Sequence, residues 1–113
     1  MHELSIMEGA LESALQEARR AGARQVHAMT LRIGTLSGVV PEALRFAFDA
    51  LAPGTEAEGA QLVIESVPAR FWCEDCKQEF SAADLFPECP ECSRPSTELR
   101  AGREMELVSM EIE

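Results

Sequence analysis

Apolar residues recur along the start of the chain at Leu4, Met7, Leu11, Ala14, Leu15 and Ala18, intervals of three and four that stack side chains on one face of a helix. Ser5-Ile6-Met7-Glu8 fits a capping box and places the helix start there, while Arg19, Arg20 and Gly22 supply end signals. Over 25–34 the period changes to two. Met29, Leu31 and Ile33 share one face of this predicted strand, and Ala28, Thr30 and Arg32 share the other. Gly34 and Gly38 mark a loop, Pro41 suits the first position of a second helix, and Leu44, Ala47, Phe48 and Leu51 form its apolar stripe up to Pro53-Gly54. Leu62, Val63, Ile64 and Val67, bracketed by Gly59 and Pro68, predict a strand over 60–67. After Gly102, Val108, Met110 and Ile112 alternate against Ser109, Glu111 and Glu113 and predict a last strand that rejoins the sheet.

Between these elements the texture changes. Residues 71–95 hold all four cysteines and three of the six prolines, with little periodic apolar sequence. Metal rather than hydrophobic burial is expected to organise this stretch. The order predicts an α+β fold: a small three-stranded sheet with two helices on one face, plus an inserted four-cysteine ribbon. The corresponding division is 1–68 with 103–113 for the α/β domain and 69–102 for the ribbon.

A chain of 113 residues accommodates one domain with a small satellite, and 46% hydrophobic with 27% charged residues excludes a disordered or collagen-like chain. Twenty acidic against ten basic side chains give a net charge of −10, so no general basic surface exists for nucleic-acid phosphates or anionic lipid. No run of about 18 apolar residues and no signal-peptide pattern occurs, and the expected location is the cytoplasm. In that reducing compartment four cysteines read as metal ligands or redox thiols before they read as disulfides.

Cys73-Glu74-Asp75-Cys76 and Cys89-Pro90-Glu91-Cys92 form two Cys-x-x-Cys knuckles. Two facing knuckles complete a tetrahedral four-sulfur site suited to zinc, with no open position for water or substrate, so the expected role is structural. A thioredoxin-like dithiol fits less well, because it needs one pair at a helix start and the insert is helix-poor. Ligand type alone leaves an iron–sulfur cluster open. One function open to such a site is a zinc-ribbon module that binds nucleic acid or protein. Between the outer cysteines, however, Glu74, Asp75, Glu79, Asp84, Glu88 and Glu91 face Lys77 alone, and four thiolates on a divalent ion add further negative charge, which is poorly suited to phosphate.

Met1-His2-Glu3 reads most simply as a solvated end. Its amine, the His2 amide nitrogen and the imidazole can nevertheless close adjoining chelate rings, a nitrogen-rich set that nickel(II) and copper(II) favour. Glu3 offers a nearby carboxylate or favours the positive end of the following helix. His27, at a strand edge on the side of Met29, Leu31 and Ile33, is expected to be packed or hydrogen-bonded rather than a ligand. Met7, Met29 and Met110 read as core filler. No catalytic triad and no phosphate-binding glycine loop is present, so no catalytic residue is assigned.

The Met1-His2-Glu3 start, Leu31-Arg32-Ile33-Gly34, Phe46-Ala47-Phe48-Asp49, Glu58-Gly59-Ala60, the paired knuckles and Met110-Glu111-Ile112 together resemble the HypA/HybF family over essentially the whole chain. These are nickel-delivering accessory proteins of [NiFe]-hydrogenase maturation. The resemblance implies a non-enzymatic nickel metallochaperone with structural zinc on Cys73, Cys76, Cys89 and Cys92. Nickel, as transferred cargo, would be held through the terminal amine, the His2 imidazole and nearby backbone nitrogens of Met1, His2 and Glu3. The implied partners are a HypB-like GTPase and the hydrogenase large-subunit precursor, with urease maturation a further use in some members. The sequence departs from the family at the loop before the second helix: some members carry an acidic side chain there that has been connected with nickel, whereas Val39 and Val40 cannot ligate, and Glu42 is a neighbour without an assigned role.

Overall fold

The computed structural model describes residues 2–82 and 87–113, with the backbone alone for His2. The first helix, α1 (His2–Arg20), starts ahead of the Ser5 capping signal. That box marks where a helix is able to begin, but His2, Glu3 and Leu4 contain no glycine or proline to stop the helix from extending upstream. Glu3 lies in the first turn and Arg19 and Arg20 in the last, signs that match the helix dipole. The chain continues through β1 (Val26–Gly34), α2 (Pro41–Leu51), β2 (Gln61–Val67), β3 (Arg70–Cys73), β4 (Gln78–Ser81), β5 (Leu99–Ala101) and β6 (Met105–Ile112).

The apolar stripes meet as the periodicity predicts, except that Leu4, at the start of α1, is 38% exposed. Met7, Leu11, Ala14, Leu15 and Ala18 of α1 and Leu44, Ala47 and Phe48 of α2 pack on Val26, Met29, Leu31 and Ile33 of β1 and Leu62 of β2. Both helices therefore cover one face of a sheet ordered β2-β1-β6. β1 and β2 run parallel, with Leu31 opposite Ile64, a pairing that needs a crossover connection, here supplied by α2.

β6 runs antiparallel to β1, but its alternation breaks. Thr30 pairs with Ser109 and Leu31 with Leu107, leaving Val108 as an inserted residue. The bulge turns Leu107 and Met110 toward the core and leaves Val108 and Ile112 exposed at 40% and 41%. The expected inward set of Val108, Met110 and Ile112 thus holds only for Met110. A second irregularity, between Val26–Ile112 and Ala28–Glu111, makes His27 the extra residue on β1. His27 is therefore exposed, not aligned with Met29 as simple alternation requires.

The insert forms a second sheet, ordered β4-β3-β5. Phe71 of β3 lies opposite Phe80 of β4, their ring centroids 6.0 Å apart and stacked. Ala69, Phe71, Cys73, Phe80 and Cys89 are buried there, with Leu36 and Leu99 packed against them. The ribbon has an apolar nucleus of its own, which corrects the expectation that metal alone organises it. Leu36 arrives from the loop after β1, and its N–H donates to the Gly102 carbonyl at 2.7 Å while Thr35 N–H donates to Val67 at 2.9 Å. Among the described residues no helix is long and apolar enough to cross a membrane.

Candidate functional site

β3 ends on Cys73, and the turn into β4 carries Cys76; the second knuckle is held by a bridge between Glu88 and Pro95. Each knuckle is followed by a residue in the left-handed region, Lys77 at φ 53° and Ser93 at φ 62°, a conformation uncommon outside glycine. These two residues reverse the chain directly after the second cysteine of each pair. Neither Lys77 nor Ser93 stands out by residue type, and the one signal for them in the sequence is their equivalent place after each knuckle. The Cys76 N–H donates to Cys73 Sγ at 3.4 Å, and the Ser93 N–H donates to the Cys89 carbonyl at 2.7 Å.

The four cysteine sulfurs lie within 4.8 Å of one another. Cys73 and Cys92 are 3.6 Å apart and Cys76 and Cys89 3.9 Å apart. A tetrahedral zinc–sulfur length of about 2.3 Å requires edges of about 3.8 Å, so the donor set fits zinc in number, element and size. Backbone N–H groups, chiefly that of Cys92 with Glu91 in support, draw the Cys89 thiol down to about 7. Hydrogen bonding to Cys92, then burial, pushes the Cys76 thiol up to about 12. A metal ion held by all four sulfurs needs each as thiolate, so its binding would release protons.

Around the cluster the basic side chains are already paired. Arg70 binds Glu79 at 2.8 Å, Arg94 binds Asp75 at 2.9 Å, Arg100 binds Glu98 at 2.6 Å and Lys77 pairs with Glu74. Arg100 also lies 4.5 Å from the centre of the Trp72 ring. The Glu74 carboxyl is held below its ordinary value by Lys77 first and by the Trp72 indole N–H next. Such a surface offers phosphate no uncommitted cation among these four.

Of the nickel candidates, Met1 and the His2 side chain lie outside the described residues, as does Asp84 in the ribbon. Glu3 is described: its Oε2 accepts the Val40 N–H at 3.1 Å. Val40 is the N-cap of α2, in extended backbone at φ −93° and ψ 116°, with no side-chain cap. Glu42 sits in the exposed first turn of α2. His27 Nε2 is hydrogen-bonded to Glu113 Oε1 at 2.5 Å, the hydrogen-bonded state expected for it.

Residues 1–112 match the family described as hydrogenase/urease nickel incorporation metallochaperone, hypA. The hydrogenase maturation factor HypA of Picosynechococcus sp. is 49% identical over 112 residues, covering 99% of each chain. That of Acidithiobacillus ferrooxidans is 43% identical over 113 residues and covers 100% of both chains. The fold is shared with the solution structure of the Ni metallochaperone HypA from Helicobacter pylori, at a TM-score of 0.65 and 21% identity, covering 97% of this chain and 96% of that one. A second solution structure of a HypA protein superimposes at 0.70 with 24% identity, covering 99% and 96%. With a match that runs from the first residue through the last strand, the chain belongs to the HypA family of hydrogenase and urease nickel-incorporation metallochaperones, which are not enzymes.

Proposed function

We propose that this chain carries nickel(II) as cargo at its N-terminus, on the terminal amine, the His2 imidazole and the backbone nitrogens of Met1, His2 and Glu3. In this reading Cys73, Cys76, Cys89 and Cys92 hold a structural zinc ion. The cluster of four sulfurs within 4.8 Å of one another carries the zinc half of the reading; the full-length family match supports the nickel half. Residues 1–68 with 103–113 form the nickel-bearing domain and 69–102 the zinc ribbon. Delivery proceeds by ligand exchange in the cytoplasm, toward a [NiFe]-hydrogenase large-subunit precursor with a HypB-like GTPase as partner; urease maturation is the second route that the family description names.

The test is a nickel titration of four samples, with zinc content measured in each: untagged protein, protein extended by a few residues before Met1, His2→Ala and His27→Ala. The extension turns the basic amine into an amide, and His2→Ala deletes the imidazole, so both lose nickel while keeping zinc. His27→Ala keeps both metals, since its ring serves Glu113. Tight nickel binding by the extended protein and by His2→Ala would move the site elsewhere.

A further inference from the structure

We infer that the Glu3 carboxylate is a positioning group for the N-terminal nickel site, tying the start of α1 to the start of α2, and is not itself a nickel ligand. The inference rests on the proposed N-terminal site and adds a role within it. The contact spans 37 positions of sequence and joins a charged acceptor to a backbone donor, Glu3 Oε2 to Val40 N at 3.1 Å. Charge-assisted bonds of this kind are about twice as strong as neutral ones. The carboxylate also lies at the positive end of α2, which has no side-chain cap of its own.

The anchored residue directly follows His2. The first N–H groups of a helix have no intrahelical acceptor, so the amide nitrogens at positions 2 and 3 stay available to a metal, and a terminal turn held only by its own backbone frays. Glu3 fixes that turn from the side and sets the backbone geometry the chelate needs. Val40 contributes through its main chain, because its isopropyl group has no donor or metal-binding atom.

That choice of atom makes the two roles separable. Glu3→Gln keeps an oxygen acceptor for the Val40 N–H, Glu3→Ala removes it, and Val40→Pro removes the donor and sets its ring carbon where the N–H pointed, which releases the Glu3 carboxylate from this contact and substitutes none of the proposed nickel ligands. Val40 already has extended backbone, close to what proline adopts. Val40→Ala controls for the lost isopropyl group.

The full-length untagged variants are titrated with nickel(II) ion, and the nickel absorption spectrum, zinc content and thermal midpoint are recorded, with His2→Ala alongside. Glu3→Ala and Val40→Pro each weaken nickel binding by about tenfold to a hundredfold, the range for a group that orients a ligand. The double variant is no weaker than either single one. Val40→Ala binds as the parent does, Glu3→Gln, which keeps the acceptor without the charge, weakens nickel less than Glu3→Ala does, and at saturating nickel all four substitutions give the parent spectrum, since no ligand has been removed. Amide exchange at Val40 is fastest in Glu3→Ala and closer to the parent in Glu3→Gln, a readout that holds even where Val40→Pro fails to fold. The opposite pattern overturns the inference: Glu3→Gln losing nickel with an altered spectrum while Val40→Pro binds normally makes the carboxylate a ligand. Normal binding by His2→Ala is a separate result, and it refutes the N-terminal site itself.

Discussion

Gly34 approaches Gly102 so closely that a Cβ on Gly34 would stand 2.1 Å from both the carbonyl carbon and the carbonyl oxygen of Gly102. Gly102, at φ 123°, in turn leaves only 2.8 Å between its own Cβ position and the Cα of Ala69. At this crossing the end of β1, the link from β2 to β3 and the link from β5 to β6 meet, so the two sheets are joined backbone to backbone.

Gly34→Ala therefore forces main chain to move, where a flexible side chain could have turned aside. Its cost is that of overpacking, about 1 to 3 kcal/mol, read as a lower denaturation midpoint with amide shifts displaced in both sheets. Gly9→Ala is the contrast: it lies within α1 with nothing inside 4 Å of its Cβ position, and it should gain about 0.5 to 1 kcal/mol from the better helix former. A Gly34→Ala protein that melts with the parent would show that the crossing yields freely.

Side-chain period alone located both helices and β1, because Met7, Leu11, Met29 and Leu44 belong to stripes that local sequence defines and the core then buries. The two bulges were not legible, since an inserted residue exists only relative to a partner strand: Val108 is extra against Thr30 and Leu31, and His27 against Ile112 and Glu111. The cysteine spacing pointed directly to the four-sulfur cluster. The Phe71–Phe80 pair was hidden because strands as short as Arg70–Cys73 and Gln78–Ser81 carry too few positions for a period to emerge. The Glu3–Val40 bond joins two turns far apart in sequence and leaves no trace in either.

The β6 bulge makes a prediction that reverses the simple alternation. Val108→Glu and Ile112→Glu place a charge on an exposed surface and change stability by about 0.5 kcal/mol or less. Leu107→Glu and Met110→Glu push a carboxylate toward the packed core and lower the denaturation midpoint clearly. Equal effects across the four substitutions would place Val108 back among the inward residues.

Arg19 holds Glu56 through two bonds, Nε to Oε2 at 2.6 Å and Nη2 to Oε1 at 2.8 Å, while the Glu56 carbonyl accepts the Val26 N–H at 2.8 Å. The Arg19 hydrogen bond, with help from the Glu56 backbone, lowers the Glu56 carboxyl from 4.5 to about 2. A folded-state value below the unfolded one stabilises the protein above pH 4.5, and this contribution fades as pH falls toward 2. Glu56→Gln should thus be less stable than the parent near neutral pH, and the two should converge toward pH 2. A stability difference that persists unchanged into that acid range would mean that the pair works through packing and not through charge.

The second sheet joins an apolar nucleus to a four-sulfur cluster, which sets how far damage to the cluster spreads. Cys89 is both a proposed ligand and 1% exposed within that nucleus, whereas Cys92 is exposed. Removing either thiol leaves three donors and should release zinc far more readily to a chelator, but Cys89→Ser also buries a hydroxyl beside Phe71 and Phe80. Amide protection in β3, β4 and β5 should consequently fall in both variants and fall further in Cys89→Ser. The helices and the β2-β1-β6 sheet have a separate core, so their protection should remain close to that of the parent. Zinc content with residue-resolved hydrogen exchange measures the two regions independently. Full zinc retention in both variants would remove the four-cysteine assignment, and a collapse of α1 and α2 together with the ribbon would show that the two cores fold as one unit.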